Sequence, residues 1–186
     1  MPSLTEILTA LYGAWRIALR DPQAAKYFDL TPDGFWRSFA AVFLTLPASL
    51  YFHYHNGAEL GVIELVRQVM IYGVAWLAYP AVIHRILLTL DRGDRFIDYI
   101  VPYNWASLPI AYLIFVVALV SGADITSGTA AAMMAMIIYI GAFVYLWQLA
   151  RTTLDIGHGS AFGIVAFDLV FSLLIVRILE SVWVMH

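Results

Sequence analysis

Glu64, Arg67, Asn104, Asp168, Arg177 and Glu180 stand inside otherwise apolar stretches of this sequence. A charge in hydrocarbon is costly unless it is paired or hydrated, so each is a candidate for holding an ion, relaying protons or meeting a charged substrate. Their spacing sorts them into two layers. At about 1.5 Å per helical residue, counted from Leu60 and back from Val184, Glu64 and Glu180 lie about 6 Å inside one boundary and Arg67 and Arg177 about 10 Å. Each Glu is three residues from its Arg, hence on the same helix face, and two antiparallel helices would let all four interlock. Such a cluster either neutralises itself as a staple between the two helices or serves transport or a ligand.

In the other layer, Asn104 lies about 9 Å and Asp168 about 10 Å from the starts of their stretches. His84, Tyr103, Gln148 and Arg151 fall near the same side. A buried Asp with an amide and a titratable His nearby can relay protons or hold a cation. The alternative is an Asp satisfied by hydrogen bonds to its neighbours, which keeps a bundle in register.

His53, His55 and Glu59 form a third group, because His-x-His can present two imidazoles to one side of an extended segment and Glu59 can complete a zinc-type ligand set. Histidine and tyrosine are also at home at a membrane interface, and no metal is assigned to these three residues. Cysteine is absent, which removes thiolate metal sites, thiol nucleophiles and disulfides. The sequence also lacks a phosphate-binding Gly-x-x-x-x-Gly-Lys loop, a His-Glu-x-x-His pair and a Gly-x-Ser-x-Gly elbow. Asp168 has no second carboxylate at its depth for acid-base hydrolysis. A noncatalytic protein without a cofactor is the expectation.

The elements that must position these residues follow from composition. Of 186 residues, 62% are hydrophobic and only 12% charged, with a mean hydropathy of +0.82, too little polar surface to cover a water-facing shell. A spanning helix needs about 20 mostly apolar residues. Five stretches supply them, at about 35–54, 60–86, 98–121, 127–150 and 161–184. Pro47 is expected to kink the first, with Thr31 and Pro32 as its cap and first residue. Ahead of them, Leu4, Ile7, Leu8, Leu11, Trp15, Ala18 and Leu19 recur at helical spacing, so residues 1–34 read as a cytoplasmic amphipathic segment lying on the membrane or packed on the bundle. Residues 35–186 read as an all-α polytopic bundle of five transmembrane helices.

Eight of the ten Lys and Arg residues precede or begin the first span, surround the second connection or open the fourth. The positive-inside rule then places the amino terminus in the cytoplasm and the carboxyl terminus outside, in the cell inner membrane. Phe35, Trp36, Tyr51, Tyr54, Trp183 and Tyr27 fall where an aromatic belt would anchor the bundle. Gly159 with Gly163 and Ala131 with Ala135 are small-residue pairs expected to make internal helix contacts. No basic or acidic run suggests nucleic acid, so the expected partners are membrane lipids, a protein partner in a membrane complex, or a second copy of the chain.

The run Tyr103, Asn104, Trp105, Ala106, Ser107, Leu108, Pro109, then Trp147 to Leu149 and the Gly157 and Gly159 connection, resembles the bacterial branch of the Yip1-type five-span membrane proteins. The resemblance covers the last half of the chain and implies a five-helix bundle with a cytoplasmic amino terminus. Eukaryotic relatives work with small GTPases, but Tyr12 and Gly13 are followed here by Ala14 rather than Pro, and that partnership does not carry over. Two functions remain open: membrane organisation or a subunit of a membrane complex, and a small transporter or proton- or ion-coupled channel built on Asp168 and Asn104.

Overall fold

The computed structural model describes residues 1–55, 61–123 and 125–184. These residues form seven α-helices and two 3₁₀ turns, without strands. The helices are α1 (Leu4–Ala18), α2 (Pro32–Ser38), α3 (Ala40–His55), α4 (Val62–Thr89), α5 (Phe96–Gly122), α6 (Gly128–Leu154) and α7 (His158–Val184). Taking α2 with α3, five helical segments are long and apolar enough to cross a bilayer. Their outer faces carry Leu65, Leu77, Leu113, Ile137, Leu169 and Leu173, all exposed. That much continuous apolar surface suits lipid and not water.

Local chemistry sets the entry to the bundle. Ser3 and Glu6 form a reciprocal capping box, with bonds of 3.2 and 3.4 Å, that starts α1. The helix docks through its small residues Ala10, Gly13 and Ala14 together with Ile17, against α5, α6 and the 3₁₀ turn Ala24–Tyr27. Gly13 is required there, since a Cβ would sit 2.8 Å from Tyr27 and 2.9 Å from the Phe28 ring. Leu4, Leu8, Trp15 and Leu19 remain exposed on the other side. Docking thus uses the small residues and leaves the long apolar ones as an outward stripe. At the helix end, Arg16 pairs with Asp21. A backbone bond from Gln23 and the Arg16 guanidinium hold the Asp21 carboxyl below its ordinary range.

The first span begins as expected at Pro32, capped by Thr31, whose hydroxyl accepts from Gly34 N at 3.1 Å, and departs from expectation in where it breaks. Its interruption lies at Phe39, between α2 and α3, whereas Pro47 sits inside continuous helix. The described helices also outrun the apolar stretches on the α1 side, where α4 continues to Thr89, α6 to Leu154, and α7 starts at His158.

The five spans close a ring in which α3 packs on α4 and α5, α5 on α6, α6 on α7, and α7 on α4. Burial is densest on the α1 side, where Ile83, Leu87, Tyr99, Ile100, Leu149, Leu154 and Ala161 are almost fully enclosed. Arg92 clips the connections there, donating to the carbonyls of Leu154 at 3.0 Å and Asp155 at 3.2 Å. In lipid the driving force for such packing is van der Waals contact and hydrogen bonding rather than water exclusion.

Two smaller expectations need correction. Gly159 and Gly163 are not internal contacts, because a Cβ on either would meet nothing within 4 Å. Of the anticipated aromatic belt, Trp36 and Tyr54 face outward, whereas Phe35 packs on Phe39 and Phe96, Tyr51 on Phe115, and Tyr27 on Tyr12. The Trp183 side chain lies outside the described residues.

Candidate functional site

Asp168 is the one buried carboxylate among the described residues, 7% exposed on the inward face of α7. Tyr103 of α5 donates its hydroxyl to both carboxylate oxygens, at 2.9 and 3.1 Å. Ser172, one turn further along α7, donates at 3.3 Å. The Tyr103 ring stacks on Tyr79 of α4 at 4.8 Å, and the hydroxyls of Tyr79 and Tyr99 meet at 2.7 Å. Three tyrosines from two neighbouring helices therefore surround the carboxylate.

Among the described residues no Lys, Arg or His forms an ion pair with Asp168. A buried carboxylate demands a counter-charge or a proton, and hydroxyl donors alone supply neither.

A cavity of about 430 Å³ reaches this layer. All five spans line it, with hydroxyls from Thr45 and Ser49 of α3, Tyr72 of α4, Tyr103 and Ser107 of α5, Tyr139 of α6 and Ser172 of α7. Phe52, Trp76 and Phe115 supply aromatic wall, and the Thr45 and Tyr72 hydroxyls bond each other at 2.5 Å. Among the described residues no charged side chain lines the cavity. Asp168 stands one hydrogen bond behind the wall, reached through Tyr103 and Ser172.

Asn104 is not part of this arrangement. It follows Tyr103 by one residue, a turn of about 100° around the helix, so the shared depth comes with a different direction. Its amide donates to Ser38 of α2 at 2.8 Å, and its own carbonyl oxygen is buried without a protein partner among the described residues. His84 packs edge-on to Phe96 instead of approaching Asp168.

The four charges do not interlock through salt bridges either, although the Glu180 carboxylate of α7 acts on Arg67 of α4 at longer range. Arg67 pairs with Glu64 on its own helix at 2.6 Å, and Arg177 with Glu180 at 3.9 Å. Among the described residues no ion pair joins α4 to α7. The Arg177 side chain is 83% exposed. What crosses between helices is His53 of α3, whose Nε2 lies 3.3 Å from Glu64, while Gln68 donates to the same oxygen at 2.9 Å. A partner three residues away needs no interhelical register, so the local pairs win.

His53 is thus engaged with Glu64, and His55 stacks on Tyr51 with ring centroids 6.2 Å apart. Glu59 lies outside the described residues. Among the described residues no three His, Cys, Asp or Glu side chains converge on a metal-sized site.

Charge reversal tests this pairing. Arg67→Glu places a second carboxylate beside Glu64 and should lower accumulation in membranes, and adding Glu180→Arg should restore little of it. Recovery in the double variant, read by quantitative blotting, would show that α4 and α7 do share a salt bridge.

Several participants were missed in the sequence. Ser172 lies four residues from Asp168, and Tyr99 four from Tyr103. Those spacings put each pair on one helix face and were a readable signal. Tyr79, Thr45 and Ser38 carried none. Compared with protein-family models, curated proteins and solved structures, the chain finds no match.

Proposed function

We propose that the protein is a noncatalytic multi-pass membrane protein of the transport class, a small transporter or proton- or ion-coupled channel. The observation that carries this reading is the cavity lined by all five spans and ending on the hydroxyls that hold Asp168. The bundle leaves a cleft lined by seven hydroxyl-bearing side chains, open on the side of the exposed Tyr139, in front of a carboxylate that has no ion-pair partner among the described residues. Hydroxyl and carboxylate oxygens are the groups that replace water around a small cation, and both also pass protons.

The test is reconstitution into liposomes with an imposed pH or monovalent-cation gradient, followed by a fluorescent indicator inside. Flux above that of empty liposomes is expected. The other reading, membrane organisation or a complex subunit, rests on the ion pairs that neutralise the remaining span charges within single helices. Native purification in mild detergent decides between them. A stoichiometric protein partner together with inactive liposomes would favour the subunit.

The proposed setting is an inner membrane with the α1 side cytoplasmic and the carboxyl terminus outside, since Arg92, Arg95 and Arg151 gather on that side. Helix α1 would then lie at the cytoplasmic interface, docked by its small residues and presenting Leu8, Trp15 and Leu19 to lipid. Reporter fusions should read cytoplasmic after Gly93 and external after His55. Matching signals would overturn the topology. The likeness to Yip1-type proteins adds the same orientation and no activity.

A further inference from the structure

A second cavity, of about 630 Å³, opens on the α1 side where α1, α5, α6 and α7 meet. The geometry points to a binding site there for an anionic phosphate group, carried by a lipid at the bilayer surface or by a free phosphate compound. Arg20, Arg95, Arg151 and His158 line it from four separate parts of the chain, beside an apolar wall that includes Phe28 and Pro102.

The charge balance within the lining favours an anion. Of the three acids there, Asp21 is already paired with Arg16 and Asp98 with Arg95 at 3.3 Å, leaving Asp155. Against it stand Arg20 and Arg151, neither of which forms an ion pair among the described residues. Two uncommitted guanidiniums facing one space match the forked recognition of phosphate oxygens, and Arg95 can add a third donor from its bridge to Asp98. The first turn of α7 at His158 adds backbone N–H groups on the same wall. Depth supports the assignment as well, because the cavity lies where the apolar stretches end and lipid phosphates begin. Apolar wall beside the arginines suits the glycerol and first methylenes of a lipid.

The experiment is native mass spectrometry of the full chain in mild detergent with added phosphatidylglycerol, phosphatidylcholine or inorganic phosphate. The wild-type chain should retain phosphatidylglycerol in preference to phosphatidylcholine by on the order of tenfold. The double variant Arg20→Gln with Arg151→Gln should lose that preference. Arg85→Gln removes a charge on the same side outside the cavity and should keep it. Should the double variant fail to elute as a folded species, the single variants Arg20→Gln and Arg151→Gln carry the comparison, each expected to weaken the preference severalfold. Binding of inorganic phosphate that is lost in the variants, without a lipid preference, assigns the site to a free phosphate compound. Equal phosphatidylglycerol retention by wild-type and variant chains overturns the proposal, as does loss in Arg85→Gln to the same degree.

Discussion

Asp168→Asn should abolish most cation or proton flux in liposomes, about tenfold or more, while leaving membrane accumulation within roughly twofold of wild type. The substitution is isosteric. Its carbonyl oxygen still accepts from one of the hydroxyls of Tyr103 and Ser172, and its amide nitrogen can donate to the tyrosine oxygen, so the bonds at 2.9, 3.1 and 3.3 Å have replacements of similar geometry. What disappears is the charge and the exchangeable carboxyl proton. Asp168→Leu differs because it leaves two hydroxyl donors without an acceptor, at a cost of roughly 1 to 3 kcal/mol each. It should lower both flux and accumulation. Undiminished flux in Asp168→Asn would remove the carboxylate from the transport reading, and a fall in accumulation equal to that of Asp168→Leu would make its charge a structural requirement.

Tyr103→Phe separates contact from charge at the same place. It keeps the ring stack on Tyr79 but removes the hydroxyl that touches both Asp168 oxygens and borders the cavity. A reduced flux with unchanged accumulation would place this hydroxyl on the path to the carboxylate. Full flux would leave Ser172 as the connection.

How far the site could be read in advance depended on which coordinate of a helix was asked for. Depth was legible, since counting rise per residue put Asp168 and Tyr103 near one level, and they do bond. Rotation was not. Asn104 shares that depth yet faces Ser38, because one residue turns the side chain by about 100° and only packing says which direction is inward. The same gap explains the outer layer, where equal depths suggested a cross-link while the Arg177 side chain is largely exposed and pairs within its own helix. Span existence and order followed from apolar length alone. Span ends did not, as a helix continues past its apolar run while its backbone still needs partners near the headgroups. That extra turn, at Thr89, Leu154 and His158, carries the helix ends that meet around the phosphate-sized cavity. The Arg92 clip joins residues more than sixty apart and has no local signature.

The sharpest stability prediction lies at the start of the first span. Gly34, buried in the first turn of α2, approaches Asp29 so closely that a Cβ would fall well inside the van der Waals radius of the Asp29 carbonyl oxygen, 2.5 Å from its Cγ and 2.7 Å from its carbonyl carbon. Most of that obstruction is backbone, which no rotamer change can clear. The backbone is also fixed from the other direction. Asp29 Oδ1 accepts from the Thr31 hydroxyl at 2.6 Å and its amide at 3.2 Å, and the Thr31 hydroxyl in turn caps Gly34 N at 3.1 Å. Those Thr31 bonds hold the Asp29 carboxyl below its ordinary range, so this turn is tied down above that range and loosens only as acid protonates it. Gly34→Ala must therefore break the cap or displace Asp29, at a cost of roughly 3 kcal/mol. We expect a thermal midpoint in detergent lower by about 6 to 12 °C and reduced accumulation in membranes. Gly141→Ala is the matched control, because its Cβ would meet nothing within 4 Å and a helix-interior alanine is favourable by about 0.5 to 1 kcal/mol. Its midpoint should equal or exceed that of wild type. If Gly34→Ala melts with wild type, the chain does not make this close turn into the membrane, and the span must start later than Pro32.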